Sequence, residues 1–172
     1  MGRAALHRIR RLDAAAPAEV ELVARRMRET LVEVLGEERG RAMYSLDWLR
    51  ERVRWHLDPE QCQGQVFVAE GAEGGIAGHV VVRVEHENAG DGGEFGLFST
   101  LFVVPERRRT GLATRLLRRG EAWLLERGMA QAATDTAADN APLIALFEKQ
   151  GYRIVLRADA MVRLAKDLPA QT

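Results

Sequence analysis

The stretch VVPERRRTGLATRLLRRGEAW, Val103 to Trp123, can hold an anion in two different ways. Arg107, Arg108 and Arg109 stand in a row, and Arg115, Arg118 and Arg119 follow on a predicted helix, a pattern that suits a polyanion. The small residues beside them suit a different chemistry. A strand ends at Val104-Pro105 and a helix opens near Thr110 to Leu112, so the first amides of that helix lack intrahelical partners at the positive end of its dipole. Such a terminus is an anion site. Gly111 permits a positive φ and puts no Cβ in the way of a phosphate. Ala113 keeps the next inward position small, and Thr114 adds a hydroxyl donor. Neither G-x-x-x-x-G-K-S/T nor G-x-G-x-x-G occurs at this place.

Groups able to move protons are spread more thinly. His79 sits in a predicted strand with Arg83 and Glu85 on the same face by period two, and an imidazole has a suitable pKa. Glu94 opens the following strand, and Tyr44 opens the second predicted helix. His86-Glu87 lacks the second His of a zinc H-E-x-x-H helix and lies in a strand, so no metal is read. Cys62 is the only cysteine, which excludes an intrachain disulfide and a cysteine-rich zinc site.

The elements that must position these groups follow from periodicity. Leu6 to Leu12 alternates as a strand. Val20, Val23, Met27, Leu31 and Val34 mark a helix entered at Pro17, and GEERGRA breaks it. Leu46, Leu49, Val53 and Leu57 mark a second helix, stopped at Pro59. QVFVAE, GGIAGHVVVRVEHE and EFGLFSTLFVVP read as strands, the last two joined by the turn NAGDGG. A helix spans about Thr110 to Arg127, burying Ala113, Leu116, Leu117, Gly120 and Leu124, with Arg115, Arg118 and Arg119 outward. MAQAATDT is a strand, NAPLIALFEKQG a helix capped by Asn140 or Asp139, and YRIVLR and AMVRLAKD a closing strand pair. The expected fold is a mixed α/β (α+β) domain over residues 1–172, a mostly antiparallel sheet of about seven strands flanked by about four helices.

Composition narrows the function classes. The chain has 172 residues, with 25 Lys plus Arg against 25 Asp plus Glu, so it lacks the basic excess of a protein that neutralises many nucleic-acid phosphates. Aromatic residues make up 6%, few for stacking on bases. No apolar run approaches a membrane span and no leader is read, so the expected setting is cytoplasmic, without nucleic acid or membrane as partner. Oligomeric state is not legible, and a homodimer is compatible with the sequence.

VVPERRRTGLA resembles the acyl-CoA signature R/Q-x-x-G-x-G/A of the GCN5-related N-acetyltransferases, with Arg108, Gly111 and Ala113 in its three defined places. NAPLIALFEKQGYRIV resembles the later segment of that family, an Asn opening a helix that runs into Gly-Phe or Gly-Tyr. The resemblance covers roughly residues 64–165 and implies a GNAT-like fold that binds acetyl-CoA in a splay between the fourth and fifth strands. It implies pantetheine pairing with the backbone of Leu101, Phe102 and Val103, and the pyrophosphate on the amides of Arg108, Arg109, Thr110, Gly111, Leu112, Ala113 and Thr114. Asn140 falls near the pantetheine arm, Tyr44 by the acceptor pocket, and Tyr152 at a packing position.

The implied activity is N-acetyl transfer from acetyl-CoA to a primary amine of a small molecule or peptide, in a ternary complex. The alternative is a non-catalytic acyl-CoA sensor. Where the family commonly carries Glu/Asp on the fourth strand and Tyr in the later helix, this chain has Ser99, Thr100 and Phe147. Glu94, His79 and Tyr44 remain as proton carriers, with the Phe102 amide as oxyanion donor and Glu37 and Glu38 as attractants for a cation.

Overall fold

The computed structural model describes residues 6–86 and 93–170. Its centre is one seven-stranded sheet in the order β1-β2-β3-β4-β5-β7-β6. The strands are β1 (Arg8–Arg11), β2 (Gly64–Glu70), β3 (Ile76–His86), β4 (Glu94–Val103), β5 (Gln131–Ala137), β6 (Arg153–Ala158) and β7 (Met161–Asp167). Every neighbouring pair is antiparallel except β4 and β5. The helices are α1 (Pro17–Leu35), α2 (Glu37–Met43), α3 (Leu46–Leu57), α4 (Leu112–Glu126) and α5 (Ala141–Lys149). The NAGDGG turn lies outside the described residues except for its last glycine, although His86 and Glu94 pair directly across it.

The described helices number five where four were expected. Gly36, at φ 88°, does end α1, but Glu37 and Glu38 in the first turn and Arg41 in the last suit a helix dipole, and α2 forms at once. It lacks an apolar stripe and instead lays Gly40 against the backbone of Val32, where a Cβ would come within 2.5 Å of the Val32 Cα. Apolar periodicity therefore missed it.

Two cores sandwich the sheet. On one face α4 and α5 supply Leu116, Leu117, Trp123, Leu124 and Phe147 against Phe67, Val80, Val82 and Phe98. On the other face α1 and α3 supply Val20, Val23, Met27, Leu49 and Val53 against Val66, Val68 and Val81. Gly120 lets α4 lie close to β4, since a Cβ there would stand 2.4 Å from the Phe98 ring. The arginines of α4 are not all outward as expected. Arg118 is exposed, but Arg115 donates to the His7 carbonyl at 2.7 Å and the Arg119 guanidinium lies 4.4 Å from the centre of the Phe67 ring.

Candidate functional site

β4 and β5 pair only where Gly96, Leu97 and Phe98 meet Ala132, Ala133 and Thr134. The Thr134 hydroxyl donates to the Phe98 carbonyl at 3.0 Å, and past that point the two strands run on unpaired with each other. Their facing edges form a wedge that opens toward the C-terminal ends of both strands. A β-bulge at Ser99 helps to set it, since Val81 pairs with Thr100 and Val82 with Phe98.

Strand alternation decides which backbone groups line the wedge. The Val104 amide donates to the Ala77 carbonyl at 2.8 Å, and a Cβ at Gly78 would meet the Phe102 oxygen at 2.6 Å. Phe102 therefore turns its backbone toward β3, and Leu101 and Val103 turn theirs to the open edge. The Val103 carbonyl confirms this direction by accepting from Arg108 Nε at 2.8 Å. The expected oxyanion donor is thus corrected: the Phe102 amide is committed to the β3 ladder, and Leu101 is the residue just past the bulge whose amide faces the wedge.

At the mouth of the wedge the chain makes a single 3-10 turn, Pro105–Arg107, before α4. Arg109 sits at φ 63° and Gly111 at φ 84°. The first intrahelical bond is from the Arg115 amide to the Gly111 carbonyl at 3.1 Å, which leaves the amides of Leu112, Ala113 and Thr114 without helical acceptors. A Cβ at Gly111 would meet nothing within 4 Å, so the glycine is there for its dihedral and for open approach.

Arg108 points elsewhere than the resemblance suggests. Besides Val103, its guanidinium holds Glu33 of α1 at 2.7 Å, and its amide donates to Pro105 at 3.3 Å. Arg107, Arg109 and Thr110 are exposed. Asn140 occupies the N-cap position of α5, yet its side chain does not cap; it donates to Thr136 Oγ1 at 3.0 Å, at the end of β5.

The sheet face turned toward α1 and α3 gathers the polar groups. Because the bulge inserts one residue, Ser99 and Thr100 both lie on this face, followed by Phe102. Thr100 Oγ1 is 3.2 Å from His79 Nε2, and the Phe102 ring stacks 5.9 Å from the imidazole. Arg83 joins three elements: it donates to Ser99 Oγ at 3.0 Å, to His56 Nε2 at 3.2 Å and to Glu85 at 2.7 Å. His56 Nδ1 is 2.9 Å from the Arg52 carbonyl, which only accepts, so Nδ1 carries the proton and Nε2 receives Arg83.

Both histidines are held neutral. Burial, with Arg26 nearby, pushes His79 down to about 3, and burial, with Arg83 and Arg52, pushes His56 down to about 4. A ring pushed that low is a weak proton acceptor, and its Nε2 faces the Thr100 hydroxyl.

The other residues named from the sequence are spread through the fold. Glu94 lies at the far end of β4, about 17 Å from Ser99 by strand rise, on the α4 face, and pairs with His86 at 3.5 Å. Tyr44 lies outside the wedge, at the α2–α3 junction, stacked on Trp48 at 4.1 Å. Phe147 is buried edge-on to Phe98 and Tyr152. Burial beside Glu121 raises the Tyr152 phenol far above its ordinary pKa, so it stays protonated. Cys62 is buried in the segment between α3 and β2, and Glu37 is paired with Arg41. His56, Arg52 and Trp55 were missed by sequence reading; no spacing rule reveals that α3 crosses the end of β3 beside Arg83.

No group of three or more His, Cys, Asp or Glu among the described residues could hold a metal. No described helix is long and apolar enough to cross a membrane.

Residues 24–152 match the Acetyltransferase (GNAT) family. The aminoglycoside N(6')-acetyltransferase type 1 of Acinetobacter haemolyticus is 31% identical over 72 residues, 42% of this chain and 50% of its own length. This chain thus spans about half the length of the curated relatives it matches. An acetyltransferase from Thermus thermophilus superposes with a TM-score of 0.71 at 17% identity, covering 95% of this chain and 97% of that one. The PaiA N-acetyltransferase of Thermoplasma acidophilum, solved in complex with coenzyme A, superposes with a TM-score of 0.66 at 14% identity, covering 94% and 98%. The seven-stranded mixed sheet, its parted β4 and β5, and the match over most of the chain agree, and the protein belongs to the acetyltransferase (GNAT) family.

Proposed function

We propose that this acetyltransferase moves acetyl from acetyl-CoA to a primary amine of a small molecule, by direct attack with both substrates bound. The observation that carries the reading is the free edge of β4 at Leu101 and Val103, continuous with the bare amides of Leu112, Ala113 and Thr114 behind Gly111. An acyl-CoA needs those two things: a strand edge for its amide-bearing arm and an amide-lined turn for its pyrophosphate. Asn140 and Thr136 border the wedge from the β5 side. Acetyl-CoA, when bound, supplies the activated acetyl group as a thioester.

The chain's own residues then have three tasks. The Leu101 amide faces the wedge and donates to negative charge developing on the acetyl oxygen. Ser99 accepts from Arg83, which leaves its hydroxyl proton free to point at a departing sulfur. No carboxylate takes the ammonium proton at Ser99 or Thr100, so the amine reacts from its neutral form. The guanidinium groups around that face lower the ammonium pKa by like-charge repulsion. Orientation and backbone donation supply the rest of the rate.

The relatives named as aminoglycoside acetyltransferases make aminoglycosides one acceptor class to test. A cytoplasmic setting and a homodimer belong to the same reading; sedimentation tests the latter.

The test is thiol release from acetyl-CoA with an amine panel. Turnover is expected, and Gly111→Val should raise the KM for acetyl-CoA by about tenfold or more, since φ near 84° disfavours a β-branched residue. The pH–rate profile should follow the acceptor's own pKa. An enzyme inflection near neutral pH that His79→Ala abolished would overturn the proton assignment. CoA binding without turnover on any amine would favour a sensor domain, consistent with Ser99, Thr100 and Phe147.

A further inference from the structure

The wall between β4 and α3 holds guanidinium groups with few ion-pair partners among the described residues. Arg83 is half-buried against Ser99 and has Glu85 as its one carboxylate partner among the described residues. Arg52 has no hydrogen bond or ion pair for its guanidinium among the described residues; it rests 4.0 Å from the Trp55 ring centre and 5.9 Å from that of Trp48. Trp55 in turn lies 5.8 Å from the Arg83 guanidinium. Arg26, on α1, has only a ring for a partner among the described residues, standing 5.2 Å from the centre of Phe102. The two histidines of this wall are neutral, and so add no charge. Among the described residues, Arg26, Arg52 and Arg83 have one ion-pair partner between them, the Glu85 held by Arg83.

The unpartnered Arg52 borders open space. A concavity of about 510 Å³ runs along α3, lined by Trp48, Arg52 and Trp55 and also by Glu51, Arg54 and Asp58. Asp58 is already occupied, accepting from the Gln61 side chain at 2.8 Å and the Glu60 amide at 3.0 Å. Glu51 and Arg54 are exposed, and neither bonds to Arg52 among the described residues. What remains is a guanidinium backed by indole faces, close enough to Arg83 for the two charges to repel. A carboxylate is the group that relieves such a pair, because guanidinium and carboxylate match in a two-point hydrogen bond.

We infer that the acceptor is a small amine that also bears a carboxylate, bound by Arg52 in the Trp48–Trp55 concavity with its amine directed past Arg83 toward Ser99. This deepens the acetyltransferase reading and rests on it. A polycation such as an aminoglycoside would offer the unpartnered Arg52 guanidinium no anion to pair with.

The experiment compares phenylalanine with phenethylamine, the same amine without its carboxylate, alongside kanamycin and phosphoethanolamine as acceptors for acetyl-CoA. Phenylalanine is expected to have the highest kcat/KM. Arg52→Gln should cut the phenylalanine-to-phenethylamine ratio about tenfold or more, the worth of a charge-assisted contact, and Arg52→Lys should restore part of it. Preference for phenethylamine or kanamycin, or a ratio unmoved in Arg52→Gln, overturns the inference. Preference for phosphoethanolamine overturns the assignment of the anion as carboxylate. Calorimetry with N-acetylphenylalanine keeps this distinct from failure of the transferase reading. If no amine turns over, that reading fails, while binding that weakens in Arg52→Gln still supports the carboxylate site and absence of binding removes it.

Discussion

At the scale of single residues, Arg83 is the most consequential side chain outside the acyl-CoA wedge. It satisfies Ser99 on β4, His56 on α3 and Glu85 on its own strand. Replacing it with Met would leave three polar partners without their donor, at a cost of about 3 kcal/mol. Urea unfolding should show the lowered midpoint, and turnover should fall further than in Arg52→Gln because Ser99 loses its anchor. The residue was visible in the sequence as a period-two neighbour of His79. Its role was not, because His56 reaches it across 27 positions of chain. The same scale explains why His79 misleads. An imidazole in a strand reads as a proton carrier until its surroundings are known, and here they are Phe102, Thr100 and complete burial.

At the scale of elements, the seam between α4 and β4 sets the angle at which the helix delivers its first amides to the wedge. Gly120 against Phe98 and Gly96 against Leu124 together permit the close approach. Gly120→Leu should lower stability by about 1–3 kcal/mol through overpacking, seen as a lower melting temperature. It should also raise the KM for acetyl-CoA, since α4 must move outward. Gly111→Val would by contrast change cofactor affinity with less effect on folding, because its Cβ meets nothing. A comparison of the two separates packing from cradle. Helix α4 was legible from its apolar repeat, and its start was displaced only to Leu112, where Gly111 takes the left-handed cap. Helix α2 was not legible, because it packs through a glycine and a dipole-matched pair of ends, not through an apolar face.

At the scale of the whole molecule, the two buried histidines tie global stability to pH. Their folded pKa values, about 3 for His79 and about 4 for His56, lie below the unfolded value near 6.5. Between those limits the unfolded chain binds more protons than the folded one. Stability is therefore full above about pH 6.5 and falls as pH drops toward 4. The combined loss is on the order of several kcal/mol. Chemical denaturation at pH 7 and pH 4.5 should show it, and His79→Gln should flatten the slope. A stability that rose on acidification would contradict the burial of both rings.

What the sequence determined by itself was the set of elements with strong local periodicity and the anion-binding turn. Val103 to Thr114 carries its own geometry: a proline-ended strand, a left-handed glycine and a helix start are local facts, specified by adjacent residues. The tertiary structure alone decided which amides face the wedge, because a one-residue bulge at Ser99 resets the alternation of every later residue in β4. It also decided which arginines share one wall. Arg26, Arg52 and Arg83 come from α1, α3 and β3, and their shared surface exists only once two helices are laid across the sheet. Electrostatic surroundings act through space, while periodicity and capping act along the chain, and so the glycine turn and helix start could be read from the sequence and the grouping of the three arginines could not.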